Sequence, residues 1–219
     1  MRAYTQLLIL ADGRFPSGGH AHSGGLEAAV QAGRVRDLDR LRDFLSGRLH
    51  TVGLVGAAFA AAACARPFMM DELEEELDAR TPSPAQRLAA RRQGRSLIRA
   101  ARVVWPGEQV ERAARTKVSQ PVALGVVADA AGVTPGETAL LSAYHSISGP
   151  ASAAVRLLGL DPYQVHGLLA ALGDECDEVA RAAAAFTRGP AAELPAASAP
   201  LLDISAEEHA AWEVRLFAS

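Results

Sequence analysis

Aromatic residues make up only 5% of this 219-residue chain, and the β-branched residues that strands favour are scarce as well. A sheet would find few of the side chains that pack well on a pleated surface. Cysteine is just as sparse. Cys64 and Cys176 lie far apart, with no second ligand type at metal spacing nearby, which excludes a disulfide scaffold and a metal site readable from spacing. Both are expected to be small buried hydrophobes in a reducing cytoplasm. Excess charge is missing too: 22 basic against 25 acidic residues leave a net charge of -3, so the chain as a whole has no electrostatic pull toward nucleic acid or a membrane. Long apolar runs are also lacking. Leu7 to Ala11 is short for a signal peptide and is followed by Asp12 and Arg14, while Val52 to Ala65 falls short of the roughly 20 residues a membrane helix needs. That second stretch is expected to be a buried helix of a cytoplasmic protein.

What is abundant is alanine, about a fifth of the chain, and alanine is the strongest helix former. Four places carry a helix-start signal, a capping side chain followed three residues later by Glu or Gln: Ser83 with Gln86, Thr134 with Glu137, Asp161 with Gln164, and Ser205 with Glu208. Three of them place proline at the first helical position, Pro84, Pro135 and Pro162. From Asp37 the apolar residues Leu38, Leu41, Phe44, Leu45, Leu49, Val52 and Val55 follow helical spacing and predict a long helix running to Arg66-Pro67. Further helices are predicted from Pro84 to Trp105, Pro121 to Ala131, Pro135 toward Leu158 with a weak point at Gly149-Pro150, and Pro162 to about Phe186. Pro190 to Pro200 reads as a linker to a last short helix. The expected fold is all-α: a compact helical bundle over residues 1–189, with a glycine-rich N-terminal loop, followed by a linker and C-terminal docking arm over 190–219.

Two features invite a functional reading. Arg87, Arg91, Arg95, Arg99 and Arg102 form a basic stripe on one helix. Nucleic acid is disfavoured there, because the stripe lacks aromatics for stacking. The acidic run from Asp71 to Asp78 just upstream is expected to return antiparallel against the stripe, and an acidic protein partner is the other reading. The second feature is the loop Phe15-Pro16-Ser17-Gly18-Gly19-His20-Ala21-His22-Ser23-Gly24-Gly25-Leu26-Glu27. It has no Lys-Ser/Thr after its glycines for a phosphate loop, and Ala21 stands where a nucleophile elbow needs glycine. His20 and His22 are the residue type that binds Ni, Zn or Cu, but two ligands do not close a site; His145, His166 or Glu27 would have to complete it through tertiary contacts.

This loop resembles the N-terminal signature of the UreF family of urease accessory proteins, with Pro16, Gly18, Ser23, Gly25, Leu26 and Glu27 matching directly. His20 stands where the family usually has an aromatic residue, and Gly24 where many members have glutamine. The resemblance continues through the long helix after Asp37, the segment from Gln120-Pro121-Val122 to Gly125, the run Ala153-Ala154-Val155-Arg156-Leu157 and the terminal Arg215-Leu216-Phe217. It implies an all-helical, non-enzymatic, cytoplasmic chaperone that forms a homodimer, without a catalytic residue or resident cofactor. Such a protein binds UreD (UreH in some species) on apo-urease and recruits the GTPase UreG, so that nickel is inserted into the urease centre. The residues expected to meet partners are Pro16, Gly18, His22, Ser23, Gly25, Leu26 and Glu27 in the loop, and Trp212, Arg215, Leu216 and Phe217 in the arm. The alternative is a metallochaperone holding nickel directly through His20 and His22.

Overall fold

The computed structural model describes residues 3–218, and every regular element among them is helical. In chain order these are α1 (Ala3–Ala11), α2 (Leu26–Gln31), α3 (Leu38–Arg48), α4 (Leu54–Ala65), α5 (Met70–Ala79) and α6 (Pro84–Val104), then α7 (Glu108–Arg115), α8 (Gln120–Ala130), α9 (Pro135–Leu158), α10 (Pro162–Ala171), α11 (Gly173–Ala184) and α12 (Pro200–Ala210). The all-α expectation holds.

Local chemistry starts three of the four signalled helices where the sequence predicts. Thr134 and Glu137 form a complete capping box ahead of α9, the Ser83 hydroxyl accepts from the Gln86 amide at 3.1 Å, and the Asp161 carboxylate accepts from Tyr163, at 3.0 Å, rather than from Gln164. The fourth start is corrected. Ser205 lies in the middle of α12, which begins at Pro200, and its hydroxyl accepts from Arg34 at 2.7 Å instead of capping a helix. Pro200, with no amide hydrogen to leave unpaired, supplies the start there. The predicted helix from Pro162 to Phe186 is two, interrupted at Leu172, while α1, α5 and α7 carry no comparable start signal.

α3 and α4 are joined by a π-helical turn, Leu49–Gly53, so that 38–65 is one continuous helical run. By length and composition this run would be able to cross a membrane, yet 61% of its most apolar window is buried inside the fold. Here lies the use of so much alanine. Ala57, Ala58 and Ala60 to Ala63 are fully buried, and side chains this small let α8, α9 and α11 close in on α4. At the α4–α8 crossing even a methyl group is too large: a Cβ on Gly125 would lie 2.7 Å from the Cys64 amide nitrogen. Cys64 and Cys176 are both buried with free thiols, and burial pushes each up to about 11. The stretch 190–200, read as a linker, is pinned to the bundle, because Ala191 and Leu194 are buried and Arg80 donates to the carbonyls of Ala192 and Leu194.

Candidate functional site

Proline at position 150 has no amide hydrogen, so the carbonyl of Ser146, one turn earlier, loses its partner inside α9. The helix does not break, because Arg48 supplies the missing donor: its Nε reaches the Ser146 oxygen at 2.9 Å. The same guanidinium donates to the Gly24 carbonyl at 2.8 Å. One half-buried arginine at the edge of the π turn therefore ties the defect in α9 to the glycine-rich loop. A side chain at position 24 would be strained, since φ is 62° there and a Cβ would approach the Pro150 ring to 3.0 Å and the Arg48 guanidinium carbon to 3.1 Å, so these neighbours would have to yield.

The loop is ordered from both ends. Phe15 leans on Trp105 with ring centroids 5.6 Å apart, and Trp105 donates to Gln6 at 2.8 Å. Gly18 and Gly25 have φ of 81° and 89°, a left-handed region that side chains rarely enter. They sit ahead of the short turn Gly19–Ala21 and of α2 respectively, and a Cβ on Gly25 would press to 3.0 Å against Leu202 of α12. Ser23 is buried and accepts from the Glu27 amide at 3.2 Å. Leu26 is fully buried in the core.

Glu27 joins the two regions that the sequence singled out. Its Oε2 accepts from His209 Nε2 at 2.8 Å and from the Phe217 amide at 3.1 Å, and its Oε1 accepts from the Leu216 amide at 2.8 Å. Burial alone would push this carboxyl up; the amides of Leu216 and Phe217 and the His209 ring outweigh it and hold the carboxyl below its ordinary value. Around this clasp the Ala218 amide donates to the Ala21 carbonyl at 2.7 Å. Arg156 of α9 lies 4.7 Å from the Phe217 ring centroid and donates to the His20 carbonyl. His209 packs on Trp212 at 4.8 Å, and Glu207 accepts from the Ala85 amide at 2.9 Å, fixing α12 to the start of α6.

The sequence-predicted residues therefore fall into two sets. Ser23, Leu26, Glu27 and Phe217 are buried and hold the loop and arm to each other, while Pro16, Arg215 and Leu216 are exposed, with Gly18, His22, Gly25 and Trp212 half-buried between. His209, Arg48 and Arg156 were not foreseen, because each acts across more than 20 residues of sequence on a backbone or carboxylate group that carries no local signature. A groove of about 1010 Å³ runs between the loop, α6, α9 and α12, and His20, His22, Arg92, His145 and Arg156 are among its lining. Burial, with the charges of Arg92 and His20 adding to it, depresses His22 to about 4. Burial alone does the same to His145. Among the described residues no group of three or more His, Cys, Asp or Glu side chains is placed to hold a metal ion, and Glu27, one of the possible third ligands for His20 and His22, is committed to the arm.

The basic stripe is partly neutralised, by the expected acidic run at Arg91 and by other groups at Arg102 and Arg87. Arg91 pairs with Asp78 and with Glu74 of α5, Arg102 pairs with Glu111 of α7 at 2.8 Å, and Arg87 donates to the carbonyls of Thr81 and Pro82. Arg95 and Arg99 remain exposed on α6.

The UreF family model matches residues 35–173 of the chain. The chain is 48% identical over 220 residues to a protein named urease accessory protein UreF from Mycobacterium sp. (strain JLS), covering 100% of both. It is 45% identical over 222 residues to the protein of that name from Mycolicibacterium vanbaalenii, again over 100% of both. It is 42% identical over 209 residues to the one from Mycobacterium tuberculosis, covering 95% of each. The loop and the arm lie outside the stretch matched by the family model but inside the full-length similarity to these relatives.

Proposed function

The chain belongs to the UreF family of urease accessory proteins, and from this membership in a family that serves urease maturation we propose that it bridges UreD-bound apo-urease and the GTPase UreG while nickel enters the urease centre. The observation that supports the reading is the similarity over the whole chain, loop and arm included, to proteins named urease accessory protein UreF. In this proposal the protein is a cytoplasmic, homodimeric scaffold that makes and breaks no bond itself. Nickel is cargo of the assembly rather than a resident cofactor. The site suits a scaffold, because its polar groups are spent on holding backbone in place: Ser23 on the Glu27 amide, Glu27 on the tail amides, Arg48 on two carbonyls. The direct nickel-binding alternative through His20 and His22 finds no third ligand among the described residues.

The test is reconstitution. Apo-urease, UreD, UreG, GTP and nickel are combined with and without the purified chain, and complexes are isolated before activity is read. The proposal expects the chain to co-purify with UreD and UreG and urease activity to rise at least about tenfold only when it is present, a change of about 1.4 kcal/mol in apparent free energy. Equal activation without it, or GTP turnover by the pure chain, sinks the scaffold reading.

A further inference from the structure

The last residues of a chain usually fray unless something ties them down, and an apolar arm on a scaffold protein is the sort of segment expected to order only on its partner. The geometry at Glu27 points elsewhere. Two successive tail amides, Leu216 and Phe217, are received by the two oxygens of one buried carboxylate, which also takes the Nε2 of His209 from the preceding helix. With one oxygen for each amide, the carboxylate receives both and still has a lone pair for the histidine. The surrounding charges have other employment: Arg156 sits on the Phe217 ring and the His20 carbonyl, Arg34 on the Ser205 hydroxyl, and Arg48 on the carbonyls of Ser146 and Gly24. The carboxylate is left to the arm.

We propose that Glu27 is a positioning residue that straps the C-terminal segment onto the glycine-rich loop, so that the arm is an ordered surface before any partner arrives. The consequence for recognition is preorganisation. With the strap closed, Phe217 is buried at 5% exposure, while Val214 at 85%, Leu216 at 74%, Leu201 at 63% and Ile204 at 55% face outward. A surface already held in one conformation does not lose that freedom again when it binds, which raises affinity without any new contact. This inference goes beyond the scaffold role, since it assigns the order of the arm to one side chain and is read on the isolated chain whatever its partners prove to be.

The test is amide hydrogen exchange on the full chain, with Glu27→Gln as the variant. Glutamine keeps the size of the side chain but turns one acceptor into a donor that would face a backbone N–H, so one bond at least is lost. In the unaltered protein the amides of Leu216 and Phe217 are expected to exchange about 100-fold or more slowly than in an unstructured chain. In Glu27→Gln that protection falls by about tenfold or more, while amides of α4 and α9 change by less than about twofold. Emission of Trp212, which packs on His209, moves to the red in the same variant. Tail amides that exchange freely in the unaltered protein overturn the strap, as does a folded Glu27→Gln chain with full protection. Should the variant fail to fold, the unaltered protein still decides: protected amides at 216 and 217 support the strap, and unprotected ones reject it.

Discussion

His22 and His145 are held at about 4 because burial, reinforced at His22 by the charges of Arg92 and His20, disfavours their protonated forms. In the unfolded chain both return to an ordinary imidazole value of about 6.5. As the pH falls below that value the unfolded state therefore takes up protons that the folded state refuses, so stability is complete above about 6.5 and is lost on the way down to about 4. Each histidine contributes on the order of 1 kcal/mol per pH unit at most, and less for the half-exposed His22, where water screens the effect. Glu27 acts in a lower window. Its carboxyl lies below the ordinary value, so its contribution is present above about 4.5 and is lost as the pH drops through its folded value. Urea midpoints at pH 7 and pH 5 are expected to differ measurably, and His145→Gln is expected to shrink the difference by more than half, since it removes the larger of the two contributions. A midpoint that does not move between these pH values would show that neither imidazole is shielded.

At the scale of elements, the decisive arrangement is an arginine repairing a proline. α9 passes through Pro150 without breaking, because Arg48 serves the orphaned Ser146 carbonyl and holds the loop through Gly24 with the same group. Arg48→Gln shortens the side chain and removes the charge, leaving both carbonyls short of a donor. Hydrogen bonds from a charged donor are worth about 1.5–3 kcal/mol each, so with two of them gone a loss of about 3–6 kcal/mol is expected, read as a lower urea midpoint, with the segment around Ser146 to Pro150 exchanging its amides faster. Unchanged stability and exchange would mean that water replaces the guanidinium without loss. This arrangement also marks the limit of what sequence patterning conveys. Thr134 with Glu137 and Ser83 with Gln86 were legible because both partners lie within one turn. Ser205 with Glu208 has the same spacing and was misread, because the hydroxyl answers to Arg34, 171 positions away. The weak point at Gly149-Pro150 was visible, but not its remedy, since nothing local identifies residue 48 as the donor. The loop and the arm were each singled out by composition and resemblance, whereas the contact between Glu27 and Phe217, 190 residues apart, belongs to the tertiary fold.

For the whole molecule, alanine sets the architecture and the arm closes it. Buried alanines and Gly125 let the helices around α4 approach closely, so the main core is complete without residues 201–219, and what those residues cover is the outer side of α2, the loop and the start of α6. Removing them takes away the buried Phe217 and His209, and it also returns the Glu27 carboxylate to water. No charge is stranded, which distinguishes this deletion from one that removes a single partner of a buried group. Loss of a buried aromatic anchor costs about 3–5 kcal/mol, and in a domain of this size each kcal/mol lowers Tm by roughly 2–4 °C. A chain ending at residue 200 is therefore expected to stay helical and cooperative, to melt roughly 6–20 °C lower, and to fail both in binding UreD and in supporting urease activation. Melting curves followed by circular dichroism and a pull-down with UreD read the two halves of this expectation separately. A truncated chain that binds UreD with full-length affinity rejects the arm as a binding surface, and one that is unfolded at 25 °C shows that the arm belongs to the core it was expected only to cover.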